Sequence, residues 1–379
     1  MRVSLVSAAG AMLVASYAAL WGSQQGSTSQ PASGALPMPS FHHIHLNSVN
    51  PEASLAWYRQ YWPKGQATTF AGFPAFHADI YLLYTKVAKQ APGGFDRKAE
   101  RSVPQSAFWT FGSTFAGPNT NATRERADKL DRRQFAYVTL YGGADGKQTA
   151  LHALDLPMGD QLLTRSAMRE RAEQEKSVPR QAPASALDFF YFVDPDGMLV
   201  EVTAGKVDSF WNHTHMWHEQ PLCAANWYAE NLGMQLPPMA TSNTTGTEES
   251  RRAAPTLKSG KWDPCGIPVG EPSFPTYMRQ GQLRIPIGTV RFANGTFPAY
   301  PRQCRDGRCG PGTDQPLTKS RGQVIDHLGF TYPDLDAVIA HLKDRKVPIL
   351  EGPYKLGDAR AILIEDLDGL ALELIEARK

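Results

Sequence analysis

Two stretches of this chain set histidines two residues apart, His43-Ile44-His45 and His213-Thr214-His215. In an extended strand, residues two apart share a face, so each pair aims both imidazoles the same way. A third histidine, His327, opens a later apolar run, and Glu201 and Glu373 each end a run of their own. Neutral imidazole and carboxylate are the donors preferred by divalent metal ions of intermediate softness. His213, His327 and Glu373 together would offer two imidazoles and a carboxylate. That is a facial triad with positions open to water or substrate, suited to Fe(II), Mn(II) or Zn(II).

The elements that must position these residues are duplicated. His43 to Tyr58 aligns without a gap on His213 to Tyr228, sharing both histidines, a proline (Pro51, Pro221) and a closing Trp-Tyr pair. A self-match at fixed spacing implies repeated architecture. In each copy a strand (Phe41 to Val49, Trp211 to Trp217) precedes a helix opened by proline, which favours the first helical turn. The ends repeat as well. Phe189 to Glu201 and Ala361 to Glu373 each carry Asp-x-Asp-Gly between apolar runs, the chemistry of a hairpin turn. Trp109-Thr-Phe-Gly112 and Asp326-His-Leu-Gly329 open the units that those runs close. Pro333 to Lys346 reads as an amphipathic helix with Leu335, Val338, Ile339 and Leu342 on one face.

The chain therefore reads as four strand–helix–strands units in two consecutive pairs. One domain is expected over residues 40–206 and a second over 210–379. The first has His43 and Glu201, but Thr110 where the second has His327, so the first is expected to be a degenerate metal site and the second the working one. On that grouping, removing the His327 imidazole costs the metal and removing that of His43 does not. His45 is expected to be structural, His218 to face solvent at a strand end, and His341 to lie on a helix flank. Trp57-Tyr58 and Trp227-Tyr228 read as core packing. The aspartates of the two turns are not read as catalytic.

On these motifs the chain resembles the vicinal oxygen chelate superfamily, which includes glyoxalase I, bleomycin-resistance proteins and extradiol dioxygenases. The resemblance covers roughly residues 41 to 376, apart from two polar or charged inserts, around Gln161 to Lys176 and Thr241 to Ser259. It implies an α+β fold of four βαβββ modules paired into two half-open mixed-sheet barrels, and a divalent cofactor ion (Fe, Mn or Zn) on His213, His327 and Glu373. It also implies a metal-dependent dioxygenase, lyase or isomerase acting on a small oxygen-chelating substrate; the alternative is a small-molecule binder of the bleomycin-resistance type. Two departures shape that expectation. Arg291 to Tyr300 holds no acidic residue, against the four-ligand site of glyoxalase I. Gly357 to Glu365 holds neither the His nor the Tyr that extradiol enzymes carry before their terminal Glu. His215 or Tyr354 would then have to supply the acid/base group.

The bulk properties fit two domains. The chain has 379 residues and a formal net charge of +2, which gives no reason to expect nucleic acid or an anionic membrane as partner. Two complete cavities in one chain make a monomer feasible. Arg2 and the apolar stretch to Leu20 read as a signal peptide or single-helix anchor over residues 1–22, with a Ser/Gln/Gly-rich linker over 23–39. The folded part is thus expected outside the cytoplasm, periplasmic or secreted. Four cysteines suit that setting, with a local disulfide between Cys304 and Cys309 one reading of their spacing.

Overall fold

The computed structural model describes residues 36–96, 101–117, 135–138, 189–236, 277–280, 283–286, 288–302, 312 and 314–377. The expected signal segment, most of the linker, both inserts and Cys265, Cys304 and Cys309 lie outside the described residues. Cys223 is disulfide-bonded.

The first module comprises β1 (Ser40–Ser48), α1 (Pro51–Tyr61), β2 (Gln66–Phe70), β3 (Phe73–His77) and β4 (Tyr81–Lys86). A two-residue-strand hairpin, β5 (Phe95–Asp96) and β6 (Arg101–Ser102), leads to the second module: β7 (Phe108–Ala116), β8 (Phe135–Val138), β9 (Phe189–Val193) and β10 (Leu199–Gly205). The third has β11 (Ser209–His218), α2 (Pro221–Leu232), the separate hairpin β12 (Tyr277–Gln280) and β13 (Leu283–Pro286), then β14 (Gly288–Phe292) and β15 (Gly295–Pro301). The fourth has β16 (Ile325–Tyr332), α3 (Leu335–Asp344), β17 (Ile349–Leu356), β18 (Ala359–Glu365) and β19 (Ala371–Glu376).

Local chemistry sets the helix starts. Asn50 accepts a bond from the Ala53 amide and Pro51 fills the first turn of α1. Asp334 does the same for the Ala337 amide at the head of α3. Both satisfy an amide that the helix itself leaves without a partner.

The expected division into residues 40–206 and 210–379 is not how the strands pair. One sheet runs β17-β18-β19-β16-β1-β4-β3-β2, joining the first module to the fourth. The other runs β14-β15-β11-β7-β10-β9-β8, joining the second to the third. At the centre of each, two opening strands meet antiparallel: β1 with β16, and β11 with β7. Each is flanked by the parallel closing strand of its own module. Both sheets are open and mixed. An opening strand whose inner edge pairs with its own closing strand has its outer edge free for a neighbour, and the fold fills it with an opening strand of the other half.

The sequence halves are tied internally by another contact. Tyr58 on α1 donates to Asp194, and Tyr228 on α2 donates to Asp366, both in the Asp-x-Asp-Gly turns. Asp194 and Asp366 also accept amide bonds from residues two and four further on, so these carboxylates hold the turns shut. Between the sheets lies one aromatic-rich core, in which Phe41 stacks on Trp211 with ring centroids 4.9 Å apart and lies edge-on to Phe330 and Phe297. Among the described residues no helix is long and apolar enough to cross a membrane.

His218 does not face solvent as expected; it is fully buried, with Nδ1 2.7 Å from an Asp368 carboxylate oxygen. Burial alone would lower its pKa, but the Asp368 bond and the charges of Asp366, Asp368 and Glu219 outweigh it and hold it above the usual value. A raised histidine contributes stability that is fully present below its unfolded pKa of about 6.5 and is lost as pH rises through the folded value. Thermal melts of wild type and His218→Asn should therefore differ most in mildly acid buffer and converge as pH rises. A gap independent of pH would contradict this assignment.

Candidate metal centre

β1 and β16 run antiparallel with His43 opposite Gly329 and His45 opposite His327. The register brings three imidazoles to one face, and β19, parallel to β16, adds Glu373 across from Gly329. His43, His45 and His327 each have a nitrogen within 4.8 Å of the others. His43 Nε2 lies 3.5 Å and His327 Nε2 4.0 Å from Glu373 Oε2.

The hydrogen bonds around these rings leave those two nitrogens for a ligand role. His327 Nδ1 donates to Asp326 at 2.8 Å, because a carboxylate can only accept, which puts the lone pair on Nε2. His43 Nδ1 pairs with His42 Nδ1 at 2.9 Å. Both Nε2 atoms are buried without a hydrogen-bond partner. Buried polar atoms in that state call for an explanation, and a divalent cation between two imidazoles and a carboxylate supplies one. The donor set fits Fe(II), Mn(II) or Zn(II).

The electrostatics agree. Burial, with His42, His327 and His45 nearby, holds His43 far below the usual histidine value. Burial and His327 take His45 to about 3. Both imidazoles are thus neutral at physiological pH, as metal ligands or proton acceptors must be. Burial opposes ionisation of Asp326, but the His327 bond, the Gly322 amide and Arg321 outweigh it and hold it at about 2. A permanent anion therefore orients His327. Burial raises Glu373, and the Tyr354 hydroxyl donates to its Oε1.

His213 is not part of this group. It lies in the other sheet, opposite Gly112 on β7, where Glu201, His213 and His215 form a second cluster with donor atoms within 4.8 Å. Of the expected triad, the structure brings together His327 and Glu373 and assigns His213 elsewhere, since each centre draws one opening strand from each half of the chain. His43, expected to be dispensable, stands in the place expected for His213. His215 is likewise paired with Glu201, at 3.5 Å, and Tyr354 reaches a ligand carboxylate rather than open space. His341 lies on α3 as expected, with Nε2 on the Glu230 carbonyl.

Sequence reasoning missed a signal for these seams. A methyl group on Gly329 would lie 2.1 Å from the His43 ring, and one on Gly112 would lie 2.0 Å from that of His213. The glycine ending each Trp-Thr-Phe-Gly or Asp-His-Leu-Gly motif is the slot for an imidazole from the opposite half. Asp326, next to His327, was the other visible clue.

No protein-family model matches the chain, and no curated protein matches it. It is similar in structure to glyoxalase I from Zea mays, at 11% identity and TM-score 0.49, over 89% of this chain and 92% of that one. A structure from Bacillus subtilis described as a dioxygenase candidate matches at 10% identity and TM-score 0.47, over 91% and 87%. TnmS3, an antibiotic binding protein from Streptomyces sp. CB03234, matches 45% of this chain with 97% of its own, at 14% identity and TM-score 0.27. At these values the assignment of architecture rests on this chain's own repeats and sheets, which have the paired modules that the vicinal oxygen chelate resemblance implies.

The glycine slot gives a direct test. Gly329→Ala should displace the His43 ring and weaken metal binding at this centre by roughly 10–100-fold, the range seen when ligand orientation is lost. A chelator competition titration reads the affinity, with far-UV circular dichroism confirming the sheet. Unchanged affinity in a folded variant would remove His43 from the ligand set.

Proposed function

We propose that the chain is a metal-dependent enzyme of the vicinal oxygen chelate type, acting on a small substrate that presents two adjacent oxygens, with its centre at His43, His327 and Glu373. The observation that carries this reading is the pair of orphaned Nε2 atoms facing one carboxylate. A divalent ion bound there would supply Lewis-acid polarisation of the substrate oxygens. The chain's own residues do the rest. Asp326 fixes the tautomer of His327, Tyr354 orients Glu373, and Gly329 leaves room for His43.

His45 is the candidate general base, in place of His215. It lies on the same strand face as His43 and is oriented by a 2.8 Å bond between Nε2 and Thr85 Oγ1. It would accept a proton from a substrate hydroxyl or from carbon next to a carbonyl. The reaction class, ring-cleaving oxygenation or lyase/isomerase chemistry, follows from which substrate the centre admits. We include export in the reading, supported by the apolar stretch after Arg2 and the disulfide-bonded Cys223; mass determination of the mature chain tests it.

His43→Ala, His327→Ala and Glu373→Gln should each lose the ion and the activity, assayed against a panel of catechols and 2-oxoaldehydes. His45→Asn should keep the ion while kcat falls by roughly 10²–10⁴-fold, the usual contribution of a positioned acid/base. Retention of both metal and activity by His43→Ala would defeat the assignment. A metal-free protein that binds a planar ligand would favour the small-molecule binding alternative.

A further inference from the structure

The function proposed above leaves the second histidine cluster unused. His213 Nε2 lies 3.6 Å from Glu201 Oε1, and His215 Nδ1 lies 3.5 Å from Glu201 Oε2. The surroundings are built for these rings. Gly112 leaves a slot that a single methyl group would close against His213. His213 Nδ1 is bonded to the Asn212 side-chain carbonyl, which places its lone pair on Nε2, toward Glu201. The buried Tyr191 hydroxyl donates to Glu201 at 3.0 Å, as Tyr354 does to Glu373 from a different strand position. His215 Nδ1 is buried with no hydrogen-bond partner.

Thr110, which stands where the other sheet has His327, is not a donor here. Its hydroxyl is turned to the Leu199 carbonyl at 2.8 Å. His215 is its direct cross-strand partner, so an imidazole stands opposite the position that lacks one. In the other sheet the corresponding His45 is held by Thr85.

We propose that the seven-stranded sheet holds a second divalent transition-metal ion on Glu201, His213 and His215, with His215 supplying from the same strand the donor that Thr110 does not. Two imidazoles and one carboxylate select the Zn(II), Co(II) or Fe(II) class over Mg(II) and Ca(II), which require oxygen ligands. Trp109 and Tyr300 flank His215, each with ring centroids 5.2 Å from it, and Trp109 stacks on Trp217. This apolar wall restricts water around the ion and favours a tightly held one.

The test uses the full chain stripped by chelator and titrated with Co(II) alone, read by visible d–d absorption and by elemental analysis after desalting. Wild type should take two ions. His213→Ala/His215→Ala should take one, His327→Ala/Glu373→Gln should take one with a different spectrum, and the combined variant none. A wild-type chain that takes one ion, lost only in the 327/373 variant, overturns the second site and leaves the proposed function standing. One ion lost only in the 213/215 variant does the reverse. Should the double variant fail to fold, Gly112→Ala and Glu201→Gln serve instead. A count of two in either, with the sheet intact by circular dichroism, also overturns the proposal.

Discussion

The antiparallel seam between two opening strands is the constraint on which the rest depends. β1 can meet β16, and β11 can meet β7, only if modules distant in sequence share a sheet. The register of those seams then decides everything about the centres. It sets each first histidine opposite a glycine, and the parallel closing strand places its glutamate one strand further on. A one-residue slip would turn every donor to the opposite face, so the packing of Ile44, Leu46, Leu328 and Phe330 into the core also fixes the geometry of the ligands. Core and site are coupled through the alternation of a single strand.

Burial gives that geometry its chemical meaning. In water, His43 would titrate near neutrality and compete for a metal with protons. Here desolvation keeps the His43 proton off, and a network of Asp326, Asn47, Arg321 and the Gly322 amide keeps an anion behind His327. Leaving two imidazole nitrogens buried without partners costs about 1–3 kcal/mol each. A fold that retains such groups in both sheets is poorly explained by stability alone. The Tyr58–Asp194 and Tyr228–Asp366 bonds make the contrast clear, because there each buried carboxylate is fully satisfied and the role is structural.

Much of the fold was legible in the sequence, because strand alternation, first-turn prolines and Asp-x-Asp-Gly turns are local signals. The repeat of His43 to Tyr58 at His213 to Tyr228 showed the modules and which residue types bear ligands. Partner choice was not legible. Four modules can pair in three ways, and local patterning does not distinguish the consecutive pairing from the one found, first with fourth and second with third. Thr110 made the consecutive pairing look like one dead site and one live one. Under the exchanged pairing, the same threonine belongs with His213 and Glu201, and His43 gains His327. The glycine slots do not settle it, because Gly112 and Gly329 stand at matching positions and either could receive an imidazole from an opening strand.

The two centres also show how duplication separates chemistry from architecture. In both, a tyrosine reaches the ligand carboxylate, yet Tyr354 comes from β17 and Tyr191 from β9, which are not equivalent strands. The bond was therefore reached by different residues on each side. The supports diverge further. His327 is backed by a charged network around Asp326, whereas His215 is walled by Trp109, Trp217 and Tyr300. The same backbone thus holds the two clusters in different surroundings, one charged and one aromatic.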